Sequence, residues 1–175
     1  MRAFVLLLSL LLLLPSVQAS AAPGGPGVGD LAPGLLGQDT DGKPVTLDAY
    51  RGKLVVVAFW NSTCSYCLVE LPTLEKLQQQ VGVARLQVVV VNLNDSSKDW
   101  GVMLRQMRGY ALRQVRDPSG TVAAAWGVQM FPNLWLLGAD GRVMHHHEGY
   151  LEDSLPGILE EIQHAVVDAT PPASP

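Results

Sequence analysis

The sequence predicts an α/β domain: a central mixed sheet flanked by helices, with an extra β-hairpin at the amino-terminal side. Two observations carry this expectation. Leu54 to Trp60 (LVVVAFW) and Leu86 to Leu93 (LQVVVVNL) are β-branched runs that do not alternate with polar residues, the pattern of strands covered on both faces. Between them Leu68, Leu71, Leu74 and Leu77 recur at helical spacing, with Glu70, Glu75 and Lys76 interleaved. Strand, crossover helix, strand is the repeating unit of a parallel α/β sheet.

The elements follow in chain order. Residues 1–21 join a positive Arg2 to a leucine-rich run from Phe4 to Leu14, then Pro15 and the small residues around Ala19 and Ala21. That run falls short of the about 20 apolar residues that span a bilayer, so it reads as an export signal cleaved after Ala19 or Ala21, with an uncleaved anchor as the other reading. No cysteine lies near the cut, which excludes lipoprotein anchoring. Residues 22–29 are Gly/Pro-rich and read as a linker, residues 30–168 as one domain, and residues 169–175 as a disordered tail. Asp41-Gly42 with Val45 and Leu47 predicts the amino-terminal hairpin. Pro72 inside the leucine helix predicts a kink. A second helix is expected over Ser97 to Arg108 behind a serine cap, and a short one over Gly120 to Trp126. Asn133 to Leu137 and Arg142 to Glu148 read as strands joined by the turn Ala139-Asp140-Gly141. The last helix starts near Ser154 and shows Leu155, Leu159, Ile162 and Val166 on one face.

Composition narrows the function. The 175 residues are 48% hydrophobic and 16% charged, with a formal net charge of −4 that becomes −5 if the signal takes Arg2 with it. With no run of Lys or Arg there is no stripe to neutralise phosphates, so nucleic acid is not an expected partner. An exported protein meets an oxidising compartment, yet two cysteines cannot build a disulfide scaffold.

Those two cysteines, Cys64-Ser65-Tyr66-Cys67, stand directly after the first buried strand and open the leucine helix. A disulfide across so short a loop removes little chain entropy and is a poor staple. At i and i+3 on a helix end the pair makes a good redox switch, because the helix N-terminus favours a thiolate on the first sulfur. Cys64 is expected as the exposed nucleophile and Cys67 as the more buried resolving thiol. A haem site needs His after the second cysteine, where Leu68 stands, and a zinc site needs a second cysteine pair. A purely structural Cys64–Cys67 disulfide stays open.

Gly42-Lys43-Pro44-Val45 with Leu47, Tyr50-Arg51-Gly52-Lys53, Phe59-Trp60, the Cys64/Cys67 pair, Glu70-Leu71-Pro72, Gly127-Val128, Phe131-Pro132 and Asp140-Gly141 occur in this order. The set resembles the thioredoxin superfamily, and within it the exported TlpA/ResA/CcmG-like thiol-disulfide oxidoreductases, from about Asp30 to Ala165. The resemblance implies a thioredoxin-like fold and an enzyme that reduces or exchanges disulfides in client proteins in the periplasm or another extracytoplasmic space. It further implies an apocytochrome c or its maturation partner as client, electrons from a membrane thiol donor, no cofactor and a monomer. Pro132 would be the cis proline beside the disulfide, and Phe131 would offer its backbone to an extended substrate peptide. Glu70 would be a buried acid that takes a proton from Cys67 during release of the mixed disulfide, a solvated first-turn glutamate being the other reading. Trp60 and Tyr66 are assigned to the substrate-binding surface, with core or near-site packing the plainer reading of Trp60, as of Trp100, Trp126 and Trp135. Ala58 stands where many thioredoxins carry a buried Asp. Thr63 replaces the usual tryptophan before the first cysteine, and Ser65-Tyr66 adds no positive charge beside it, which leans towards a reductant.

Met144-His145-His146-His147-Glu148 places His145 and His147 on one face of a strand, where they could hold a transition metal. An exposed polar edge strand is the plainer reading. Two rival functions remain: a Cu(I) metallochaperone using Cys64, Cys67 and one of these histidines, and a thiol peroxidase, whose proline and threonine framework Asn61-Ser62-Thr63 does not match.

Overall fold

A computed structural model describes residues 24–149 and 154–169. The expected signal and nearly all of the tail lie outside the described residues. Seven strands and four helices follow in the order β1 (Leu35–Gln38), β2 (Pro44–Thr46), β3 (Leu54–Trp60), α1 (Ser65–Val81), β4 (Leu86–Leu93), α2 (Ser97–Gln106), β5 (Arg113–Asp117), α3 (Thr121–Trp126), β6 (Asn133–Leu137), β7 (Val143–Glu148) and α4 (Ser154–Asp168), with a 3-10 turn over Leu47–Tyr50.

The strands form one mixed sheet in the order β2-β1-β5-β4-β3-β6-β7. β3 lies in its middle, parallel to β4 from Leu54↔Leu86 to Trp60↔Asn92 and antiparallel to β6 from Val55↔Leu137 to Phe59↔Asn133. Every residue of β3 and β4 is buried, as expected for strands covered on both faces. Alternation persists, but each side of the strand meets its own apolar layer. Val56, Ala58 and Trp60 pack with Leu71 and Leu74 of α1, Trp100 of α2 and Ile162 of α4. Val55, Val57 and Phe59 pack with Val122 and Trp126 of α3, Leu36 of β1 and Trp135.

Two features depart from the sequence reading. β5 was not expected: its sequence RQVRD buries only Val115 and Asp117, too weak a pattern to read as a strand until β4 and β1 flank it. The linker is docked at its described end, where the amides of Gly29 and Val143 donate to the carbonyls of Val143 and Asp30 at 2.8 and 3.0 Å. There the backbone at Gly24 and Gly25 runs so close to Trp126 and Gly127 that a side chain on Gly25 or Gly127 would collide with main chain. In α1 the helix continues through Pro72, whose missing N–H leaves the Leu68 carbonyl without that intrahelical donor.

The two glutamates interleaved among the leucines of α1 are both buried, Glu70 at 7% and Glu75 at 5% exposure. Glu75 is fully used. Its Oε1 accepts from Gln79 Nε2 at 2.6 Å and the Ala111 amide at 3.0 Å, and its Oε2 accepts from the Leu112 amide at 3.1 Å. It thereby satisfies the backbone just before β5. Glu75→Ala strands two backbone donors and is expected to lower stability by about 2–4 kcal/mol in equilibrium urea unfolding, whereas Gln79→Ala costs less than about 1 kcal/mol.

Candidate active site

The site forms where β3 ends. Cys64 is the N-cap of α1, with φ −84° and ψ 97°, and its Sγ accepts a hydrogen bond from the Cys67 amide at 3.2 Å. The two sulfurs are joined in a disulfide with the Cα atoms 5.2 Å apart. Cys64 is half-buried and Cys67 only 2% exposed, the order expected of nucleophile and resolving thiol. Backbone amides at the start of a helix stabilise negative charge, so a thiolate released at Cys64 is favoured by its place in the fold.

The loop before the disulfide is held by side chains. Asn61 Oδ1 accepts from the amide and hydroxyl of Thr63 at 3.2 and 2.9 Å. Asp95, just beyond β4, accepts from the Ser62 amide at 3.0 Å, the Ser62 hydroxyl at 2.8 Å and Asn92 Nδ2 at 2.7 Å. A second carboxylate holds the facing loop. Glu148 Oε1 accepts from the amides of Gln129 and Met130, both at 3.3 Å, and from Asn133 Nδ2 at 3.2 Å. The Gly149 amide donates to the Pro132 carbonyl at 2.8 Å. The Phe131–Pro132 peptide bond in this loop is cis. Sequence reasoning missed both positioning carboxylates. Asp95 was not singled out and Glu148 read as the end of the histidine strand; the one available signal was an acid at or just past the end of a predicted strand.

Tyr66, Glu70, Pro132, Leu134, His147 and Ile158 line a small cavity of about 10 Å³, near the lower limit for a single water. Glu70 is buried there with its Oε1 lacking a hydrogen-bond partner among the described residues. Burial without compensation penalises the charged form and pushes its carboxyl from 4.5 up to about 7. On the first turns of α1 Tyr66 is 53% and Val69 57% exposed, an apolar rim next to Cys67, and Met130, two residues before Pro132, is 54% exposed. Trp60 does not belong to that rim. At 1% exposure it lies in the core against Trp100, with ring centroids 6.3 Å apart, because its place on the sheet turns it under α1 and α2. Its assignment to the substrate-binding surface is corrected on that ground.

His145 and His147 do share a face of β7, but they are half-buried and not fully exposed. They pair with Leu136 and Leu134 on the side covered by α4, while His146 turns to the other side and stacks on Trp135 at 3.5 Å. The third ligand-type atom close to both is on Glu161, not a cysteine sulfur.

Comparison with known proteins agrees with this geometry. The AhpC/TSA family pattern matches residues 28–146. The chain is 34% identical over 113 residues to the thiol:disulfide interchange protein DsbE homolog of Paracoccus denitrificans, spanning 63% of this chain and 60% of that protein's length. It is 26% identical over 129 residues to the thiol-disulfide oxidoreductase ResA of Bacillus subtilis, covering 73% of this chain and 70% of that one. A crystal structure from Chlorobium tepidum, assigned as a thiol:disulfide interchange protein DsbE, superimposes with TM-score 0.73 at 27% identity, over 81% of this chain and 99% of the other. The fold is thioredoxin-like.

The Glu70 shift fixes a pH dependence. Below pH 4.5 the carboxyl is protonated both folded and unfolded and contributes nothing. Between 4.5 and about 7 the unfolded carboxyl ionises while the buried one holds its proton, so stability falls as pH rises, and it levels above about 7. Glu70→Gln removes this contribution. Between pH 5 and 8, urea unfolding of the oxidised parent is expected to lose up to roughly 3 kcal/mol more than the variant loses.

Proposed function

The chain belongs to the AhpC/TSA family, and on that premise we propose that it is an exported thiol-disulfide oxidoreductase that reduces disulfides in client proteins. One observation carries the reading: the disulfide opens α1 one turn before a buried acid whose Oε1 lacks a partner among the described residues, and that acid shares a small cavity with Tyr66 and the cis Pro132.

The reaction runs from the reduced enzyme. An extended client segment docks on the rim formed by Tyr66 and Met130, with its backbone against Phe131. The Cys64 thiolate attacks one sulfur of the client disulfide, and the other client sulfur leaves and takes up a proton. Glu70, half-ionised near neutral pH, accepts the proton of the Cys67 thiol. Cys67 then attacks Cys64, the second client sulfur departs and takes up a proton, and the enzyme is left with the Cys64–Cys67 bond seen here. Two electrons have passed to the client, and an external dithiol at the membrane restores the reduced pair. A carboxyl near pH 7 suits this work because it gives and takes a proton at the operating pH.

The narrower reading places the protein in cytochrome c maturation, with an apocytochrome or its partner as client, as a monomer outside the cytoplasm after removal of residues 1–21. A reducing direction is supported by the lack of basic side chains at Thr63, Ser65 and Tyr66. The copper reading loses support because His145 and His147 converge on Glu161. The peroxidase reading loses support because the hydroxyls of Ser62 and Thr63 are committed to Asp95 and Asn61.

Cys67→Ser is expected to trap clients as mixed disulfides on Cys64, and Cys64→Ser to trap none. Mass spectrometry of non-reduced adducts checks this, and recovery of no adduct together with no insulin reduction by the parent sinks the proposal. Equilibration with glutathione is expected to give a reduction potential nearer about −270 mV than about −120 mV, the values that separate a reductant from a strong oxidant.

A further inference from the structure

We propose that His145, His147 and Glu161 form a binding site for a divalent transition-metal ion of the zinc type, linking the edge strand β7 to helix α4. The register of β7 sets it up. His145 and His147 are two residues apart on one side of the strand, their rings parallel and their centroids 6.5 Å apart. From the facing helix, Glu161 Oε2 reaches His145 Nδ1 at 3.3 Å and His147 Nε2 at 2.7 Å. All three ligand atoms lie within 4.8 Å of one another.

A tetrahedral ion with bonds of about 2.0–2.2 Å holds its ligand atoms roughly 3.3–3.5 Å apart. The His145–Glu161 spacing already matches, and the His147–Glu161 pair has to open by about 0.6–0.8 Å. The side chains have that freedom, being 42%, 28% and 37% exposed, and their exposure leaves a fourth position open to solvent. Imidazole with one carboxylate suits zinc and neighbouring borderline ions, whereas calcium and magnesium prefer oxygen alone. The adjoining groove, about 440 Å³, is lined by Glu160 and Asp168 as well as Glu161, which draws cations towards the histidines.

Binding exchanges two N–H to carboxylate contacts for two N–metal bonds. No redox step is involved. The ion would fasten α4 to the sheet edge, and through His147 it would border the cavity beside Glu70. The site uses neither sulfur, so its test is separate from that of the oxidoreductase reading.

The test is isothermal titration of Zn²⁺ into untagged protein with the Cys64–Cys67 disulfide intact, so that neither thiol can ligate. One equivalent is expected to bind, and Co²⁺ in its place is expected to give the visible absorption of a four-coordinate ion. His147→Ala and Glu161→Gln are each expected to weaken Zn²⁺ at least about tenfold. His164→Ala is expected to change nothing, because His164 is 74% exposed and faces Glu160 at 3.8 Å. Far-UV circular dichroism confirms that each variant is folded. The proposal is overturned by the lack of stoichiometric binding at millimolar Zn²⁺, or by binding that survives replacement of both His145 and His147.

Discussion

The site depends on the pairing of one strand. β3 is clamped between β4 and β6 along nearly its whole length, and each of the three strands delivers one part of the redox centre at the same end of the sheet. β3 runs into Cys64, β4 runs into Asp95, and β6 begins just after Pro132. Antiparallel pairing brings the start of β6 to the end of β3, and parallel pairing brings the end of β4 there too. The ladder therefore brings together the disulfide, the loop before it and the cis-proline loop, and side chains such as Asp95 then hold them. A one-residue slip of β3 would exchange the layers behind its two faces and move Cys64 out of the helix-start position.

Four acids then show how the same carboxyl group acquires different work. Asp95 and Glu148 each gather donors from the loops that border the cysteines, and Glu75 gathers donors beneath β5. These carboxylates are compensated and serve to position backbone. Glu70, one helical turn after Cys67, is buried with an oxygen lacking a partner among the described residues. The absence of compensation is what raises its carboxyl towards neutrality. A protein that needed Glu70 only for stability would gain from pairing it or replacing it with an apolar residue.

Legibility followed the strength of the local signal. β3, β4, β6 and the cysteine pair were read from short stretches, because their apolar runs and their spacing carry the information within a few residues. β5 was invisible for the opposite reason: strand character in Arg113 to Asp117 is imposed by neighbours distant in sequence. Gly24 to Gly29 looked like a linker because glycine has no side chain to advertise packing, while the close backbone approach at Gly25 is the packing itself. Trp60 was legible as an aromatic beside the cysteines, but the side of the strand it occupies decided that it is core.

The sequence by itself determined the fold class and the place of the cysteine pair at the start of a helix, since these rest on period, spacing and residue type. Only the tertiary structure decided which acids are compensated, which tryptophan is hidden and which helix residue meets the histidine strand. Those outcomes depend on neighbours far apart in the chain: Glu148 holds a loop centred on Met130, Asp95 holds Ser62, and Glu161 reaches His145 and His147 across the junction of sheet and helix. A linear reading supplies the ligand types and donors, but the distances between them exist only after the sheet has closed.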